Sequence, residues 1–492
     1  MKNFIQRSAG MPIIFFLLTA VISAPAKAIT DPFAVSNNRF GIHILEQKDI
    51  NDAALLVNSN GGDWGYITLV IQDNDRDKNK WQRIFDQLRE KHLIPIVRLA
   101  THGVGETWVK PPVGEADAWA SFLDSLNWVI QNRYIVIFNE PNHASEWGGT
   151  ISPSEYASIL YSYSKALKEQ NPDFFILNAG LDASAPNGSR TMDEQQFLTG
   201  MTSHNPQVFD YLDGWSSHSY PNPGFSSSPD KSGRGSIKSF EWEEDILKNL
   251  GVSKNLLVFI TETGWSRENL SESQIAQYYE KAYQAAWNDG RIVAITPFVF
   301  DFQSYPFANF SWKKADGFAA QFATVQNLAK VTGAPKQVES IDLVDGLGED
   351  LVSNTTYFFL LKIKNNGQAI WEESQGYRFT TEGTGIQTSL VPTVISHIKP
   401  DEMIDLPITV KTPGDAGTYT LKISLVRNNI FLGNPIVKTI TVRSPEVAGA
   451  QTETKTNPQQ REVWRIFLKK LFSLTYMIQY GILNKYDRAI HG

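Results

Sequence analysis

The sequence predicts an α/β protein: a (β/α)8 barrel, then an all-β sandwich, then a C-terminal amphipathic helix. Between Asn38 and about Lys336, short apolar runs alternate with longer segments of helical pattern. Several runs are near-continuous Val, Ile, Leu and Phe, as in parallel strands covered on both faces. Eight such βα units in about 300 residues is the arithmetic of a TIM barrel. A doubly wound open sheet is the alternative; against it, no glycine-rich phosphate loop follows the first run.

Residues 1–28 read as a signal peptide. Lys2 and Arg7 give a positive start, Met11 to Ile22 is an apolar run of the right length, and Ala26-Lys27-Ala28 is a small-x-small cleavage pattern. Export with cleavage after Ala28 is expected, with an uncleaved amino-terminal anchor as the alternative. The barrel is assigned to residues 29–335. Its strands are expected at Arg39–Ile44, Tyr66–Ile71, Leu93–Leu99, Tyr134–Phe138, Phe174–Ala179, Tyr211–Ser216, Leu256–Ile260 and Ile292–Phe300. Helices are expected between them, among others at Lys80–Lys91, Glu115–Gln131, Ser154–Glu169, Ser271–Asn288 and Ala319–Val331. Pro153-Ser154-Glu155, and Ser271 followed by Gln274, are helix-start signals.

After Pro335 the pattern changes to short alternating strands, such as Tyr357–Lys364, Tyr377–Thr381, Ile404–Val410 and Tyr419–Leu425. Turn signals separate them, including Asn365-Asn366-Gly367 and Pro413-Gly414-Asp415. Residues 336–443 therefore read as a β-sandwich. Asn365-Asn366-Gly367 with Trp371, Tyr377-Arg378, and Pro413-Gly414 with Gly417 and Tyr419 resemble the bacterial Ig-like modules that accompany secreted and surface enzymes. A polar linker, 444–460, leads to a helical tail over 461–492 that mixes Trp464, Phe467, Leu468 and Leu471 with Arg465, Lys469 and Lys470. Its longest uncharged run, Leu471 to Asn484, falls short of the ~20 residues that span a bilayer. Contact with a membrane surface, or docking on the protein or a partner, are both open.

Composition removes several classes of function. A net charge of −7 over 492 residues argues against a nucleic-acid binder. The absence of cysteine excludes disulfides, thiolate catalysis and Cys-ligated zinc. The eight histidines show no metal-ligand spacing, and no aspartate-rich calcium loop is present, so no metal or other cofactor is expected.

Two glutamates stand at the carboxyl ends of expected strands, in Ile135-Val136-Ile137-Phe138-Asn139-Glu140-Pro141 and Phe259-Ile260-Thr261-Glu262-Thr263-Gly264-Trp265. By count these are strands four and seven, and in a barrel both ends open on one catalytic face. Paired carboxyls suit glycosidic bond cleavage, one holding a proton for the leaving oxygen while the other stays ionised. Phe138-Asn139-Glu140-Pro141 and Thr261-Glu262-Thr263-Gly264-Trp265 resemble the strand-four and strand-seven motifs of the clan-A glycoside hydrolases. The resemblance spans about Asn38 to Lys336. It implies retaining hydrolysis of a β-linked poly- or oligosaccharide, with Glu140 as acid/base, Glu262 as nucleophile and Asn139 as donor to the sugar 2-hydroxyl. Transglycosylation, and an inactive carbohydrate-binding or structural protein on the same scaffold, stay open.

Further residues join this reading. His218 and Tyr220, in Ser217-His218-Ser219-Tyr220-Pro221, resemble the element whose tyrosine approaches the nucleophile. Arg98, ending strand three, is positioned to pair with that carboxylate or to act as a structural clamp. His43 and His102 face the same mouth if the registers hold. The tryptophan that the family often places on strand eight is absent from Thr296-Pro297-Phe298-Val299-Phe300, which leaves Phe298 or Phe300 for that place. Trp108, Trp147 and Trp265 are the other candidates for sugar stacking.

Overall fold

The computed structural model describes residues 29–445. The leader read over 1–28, nearly all of the linker read over 444–460 and the tail read over 461–492 lie outside the described residues.

Eight strands, β1 (Gly41–His43), β2 (Gly65–Gln72), β3 (Leu93–Ala100), β4 (Arg133–Val136), β5 (Phe174–Leu177), β6 (Gly214–His218), β7 (Leu257–Glu262) and β8 (Ile292–Ile295), form one sheet in sequence order. Every neighbouring pair is parallel. The ring closes between β8 and β1, where Ile295 N donates to Arg39 O at 2.9 Å and His43 N to Pro297 O at 3.1 Å. Gly41 makes this seam possible. A Cβ there would meet Thr296 Cγ2 at 2.7 Å and the Tyr66 carbonyl at 2.8 Å.

One α-helix follows each strand: α1 (Ile50–Val57), α2 (Lys78–Glu90), α3 (Ala116–Asp124), α4 (Pro153–Gln170), α5 (Glu194–His204), α6 (Ser239–Asn249), α7 (Glu272–Lys281) and α8 (Ala320–Asn327). Their starts follow ordinary capping chemistry. Asp77 caps α2, Ser152 with Pro153 opens α4, and Ser271 with Gln274 forms a capping box on α7. The central core is aliphatic and aromatic, but its upper layer is not. Thr68 and Thr296 share a hydrogen bond of 2.8 Å and Ser216 and Thr261 one of 2.6 Å, all buried. These hydroxyls close the barrel beneath its carboxyl-terminal mouth.

Several elements differ from the sequence expectation. The third helix stops at Asp124 instead of running to Gln131, because Leu126, Trp128, Val129 and Ile130 are all buried and no single helix face can hold them. The seventh passes at Ala282 into one π-helical turn that ends at Ala286. The sixth strand lies at Gly214–His218, displaced toward the mouth from the expected Tyr211–Ser216. The eighth ends at Ile295, two residues before Pro297, whose nitrogen has no hydrogen to donate.

Beyond the barrel, two four-stranded sheets pack on a core of their own. Strands β9 (Ile341–Asp345), β10 (Asp350–Val352), β11 (Thr356–Asn365), β12 (Tyr377–Thr384), β13 (Gln387–Leu390), β14 (Met403–Lys411), β15 (Gly417–Arg427) and β16 (Ile430–Arg443) divide into the orders β9-β11-β14-β13 and β10-β16-β15-β12. Alternation along β14 sends Ile404, Leu406, Ile408 and Val410 inward, to meet Leu421, Ile423 and Ile440 from the other sheet. The unit meets the barrel through the segment before β4, at the face opposite the mouth. Gln131 N donates to Lys336 O at 2.8 Å, and Asn127 Nδ2 to Gly367 O at 3.0 Å. Gln368 is buried in the joint, donating to Ile130 O at 2.9 Å and accepting from Val338 N at 2.8 Å.

Replacing Gln368 with alanine strands both of those backbone groups. Urea unfolding is expected to show a loss of about 1–3 kcal/mol; an unchanged midpoint would mean that water satisfies the joint.

Candidate active site

The mouth of the barrel gathers ionisable side chains from four strands. Glu262 ends β7, His218 ends β6, His43 ends β1 and Arg98 lies near the end of β3. Between β6 and β7 the register slips by one residue, so that His218 pairs with Glu262 although Ser217 pairs with Ile260. Such a bulge re-aims the side chains that follow it. Glu140 sits four residues beyond β4, in a loop where Phe138 (φ 67°) and Glu140 (φ 30°) both take left-handed backbone. Neither is glycine, so the loop is strained locally and held from outside. Glu140 N donates to Gly180 O at 3.1 Å and Glu140 O accepts from His143 N at 2.8 Å.

Glu262 is buried and fully engaged. Its Oε1 accepts from Arg98 Nη1, and its Oε2 accepts from the Tyr220 hydroxyl at 3.1 Å. His43 Nδ1 lies 3.7 Å from Oε1 and His218 Nδ1 lies 3.8 Å from Oε2. Burial alone would raise its proton affinity; His218, Arg98, His43 and the Tyr220 hydroxyl reverse this and hold it at about 2. His43 itself is neutral at neutral pH, because burial and the Arg98 charge push the imidazole down to about 3.

His218 links the two carboxyls. Its Nδ1 is 2.8 Å from Glu140 Oε1, and one oxygen each of Glu140 and Glu262 and a ring nitrogen of His218 lie within 4.8 Å of one another. Burial lowers His218, but Glu262 and Glu140 outweigh it, and the net shift is upward. Gly180 gives the ring its room, since a Cβ there would stand 2.1 Å from His218 Cδ2. Behind β6, the buried Glu243 of α6 accepts from Trp215 Nε1 at 2.6 Å and Ser217 Oγ at 2.8 Å, anchoring the strand that carries His218. Glu140, His218 and Glu262 are the group of side chains among the described residues with the spacing to hold a cation.

Glu140, Glu262, Arg98, Asn139 and Tyr220 line a cleft of about 970 Å³. Phe298 lines it, together with Phe225, Phe302, Phe307 and Phe310. The rings meet edge to face, Phe298 to Phe307 at 5.3 Å and Phe225 to Phe310 at 5.0 Å. Trp108 lines it from the loop after β3, and Trp81 from the first turn of α2. Two further polar groups border it. His143 Nε2 pairs with Asp182 Oδ2 at 3.0 Å, and Glu146 Oε2 accepts from Asn139 Nδ2 at 3.1 Å. Burial and the neighbouring Glu140 raise Glu146 to about 7.

The structure thus brings together Glu140, Glu262, Asn139, His218, Tyr220, Arg98, His43, Trp108 and Phe298. Others stand elsewhere. Trp147 is buried against Tyr156, because the turn at Ala144–Glu146 folds it back onto α4. Trp265 packs among Tyr279 and Trp287, and Phe300 against Phe322, all in the barrel wall and none on the cleft. His102 pairs with Asp73 at 3.0 Å in a neighbouring hollow lined by Arg76 and Trp119. Glu146, His143, Asp182 and the outer phenylalanines were not legible in the sequence. They sit on loops, where no periodicity marks a side chain's direction.

No protein-family model matches the chain, and no curated protein does. Among solved structures, a family 39 glycoside hydrolase from Bacteroides cellulosilyticus aligns over 78% of this chain and 82% of its own, at 13% identity and a TM-score of 0.43. A glucosidase from Croceicoccus marinus aligns over 80% and 94%, at 10% identity and a TM-score of 0.45. A GH128 endo-β-1,3-glucanase from Sorangium cellulosum aligns over 60% and 99%, at 14% identity and a TM-score of 0.40.

Titration by NMR is expected to find His218 above the ordinary histidine value of 6.5 and His43 neutral down to about pH 3. Since Glu262 is the largest influence holding His218 up, Glu262→Gln should bring His218 down. An unmoved His218 would contradict the charge network.

Proposed function

We propose that this protein is a retaining glycoside hydrolase acting on a β-linked glycan, with Glu262 as nucleophile and Glu140 as acid/base. The observation that carries the reading is the pair itself. A buried carboxylate held ionised by Arg98 and Tyr220 faces a second carboxyl, oxygen to oxygen within 4.8 Å, across one cleft. Double displacement needs carboxyls about 5–5.5 Å apart, whereas inversion leaves about 6.5–9.5 Å for a water.

In the first step Glu262 attacks the anomeric carbon while Glu140 gives its proton to the departing oxygen, leaving a covalent glycosyl ester. Water then attacks the same carbon, Glu140 takes back a proton, and Glu262 is released. Arg98 and Tyr220 keep the nucleophile ionised and aimed before each turnover. Asn139, beside Glu140 and bound to Arg98 at 2.7 Å, is the donor to the sugar 2-hydroxyl. The cleft volume suits several sugar rings, and its phenylalanines offer apolar faces for them.

The reading extends to the whole chain. Residues 29–335 form the hydrolase unit and 336–443 an Ig-like spacer on its far side. Cleavage after Ala28 exports the protein to the outside or the cell surface, where the tail over 461–492 contacts a membrane or a partner.

Glu262→Gln should lower turnover of an activated aryl β-glycoside by roughly three orders of magnitude or more. Glu140→Ala should lose far less on a leaving group that needs no proton than on an unactivated one. NMR of the first product should show the β-anomer. Equal rates in wild type and Glu262→Gln, or no turnover of any glycoside by wild type, would favour a carbohydrate-binding scaffold instead.

A further inference from the structure

A third carboxyl borders the proposed reaction centre and has no part in the two displacement steps. Glu146 closes the short turn Ala144–Glu146, six residues beyond Glu140, and is only partly exposed on the cleft. Its Oε2 accepts from Asn139 Nδ2 at 3.1 Å. The other end of the same carboxamide is also gripped, since Asn139 Oδ1 accepts from Arg98 Nη1 at 2.7 Å. That Arg98 nitrogen donates to Glu262 as well. Glu262, Arg98, Asn139 and Glu146 therefore form one polar chain across the mouth.

A carboxamide can sit either way round, with nearly the same shape. A cationic donor on one side and a carboxyl acceptor on the other permit only one orientation. Oxygen faces Arg98 and nitrogen faces Glu146, and among the described residues the second Nδ2 hydrogen has no protein partner. We propose that Glu146 is a positioning residue, which fixes the Asn139 amide so that it offers an N–H, and not its carbonyl, to the sugar hydroxyl beside the cleaved bond. The inference rests on the hydrolase reading above and assigns Glu146 a task within it. Protonated or ionised, Glu146 can accept through Oε2, so a glutamine can take its place in the chain. Alanine cannot, and aspartate is one methylene too short.

The test is a double-mutant cycle in the full-length protein, on an aryl β-glycoside that wild type cleaves and on its 2-deoxy counterpart. Glu146→Ala and Glu146→Asp should each lower kcat/KM about tenfold on the parent glycoside, mainly through kcat. Glu146→Gln should recover most of that loss. In an Asn139→Ala background, and on the 2-deoxy substrate, the effect of Glu146→Ala should nearly vanish. A purely structural residue would not show this dependence. Loss of the same factor with and without Asn139, or on both substrates, overturns the inference, as does wild-type activity in Glu146→Ala. If Glu146→Ala does not fold, the aspartate variant decides by the same comparison. Turnover by wild type with additive mutations sinks this inference alone; no turnover by wild type sinks the hydrolase reading.

Discussion

A carboxylate buried at the end of β7 is the constraint around which the mouth of this barrel is arranged. Taking an ionised carboxyl out of water costs several kcal/mol unless charge and hydrogen bonds replace the solvent. Here one oxygen of Glu262 goes to Arg98 and the other to Tyr220, with His218 close behind. The groups that compensate it come from β3, from the segment after β6 and from β6 itself. Only a closed ring of parallel strands brings those ends together, so the fold and the charge support one another. The neutral His43 beneath completes the packing without competing for the proton.

The same arrangement explains why two chemically identical side chains differ. Glu262 lies deep, between a guanidinium and a phenol. Glu140 lies higher, on a left-handed loop, and its partner is the histidine it shares with Glu262. The proposed double displacement would use this difference in surroundings to separate an attacking group from a proton-handling one. The loop strain is held by the Gly180 carbonyl and the His143 amide, and Gly180 also admits the His218 ring. One small residue on the segment after β5 therefore supports both sides of the pair.

Much of this was legible in the sequence wherever burial imposes a pattern. Seven of the strands overlap the segments expected for them, and several of these announce themselves as apolar runs because both faces are covered. The sixth was displaced for a physical reason: Ser216, Ser217 and His218 are buried yet polar, satisfied by Thr261, Glu243 and Glu140, so hydropathy does not mark them as strand. Glu140 and Glu262 were legible because strand ends fix their position. Trp147 and Trp265 look like stacking rings in sequence but turn into the wall, since local loop geometry, absent from any periodicity, decides their direction. Glu146 and Phe307 escaped notice for the same reason.

In the proposed mechanism Glu262 forms a bond to sugar. A 2-deoxy-2-fluoro β-glycoside with a good leaving group slows the second displacement more than it prevents the first, so the glycosyl ester should accumulate. Mass spectrometry of the digested protein should then find one added fluorosugar, on the peptide that contains Glu262. An active enzyme that carries no adduct, or carries it on Glu140, would contradict the account.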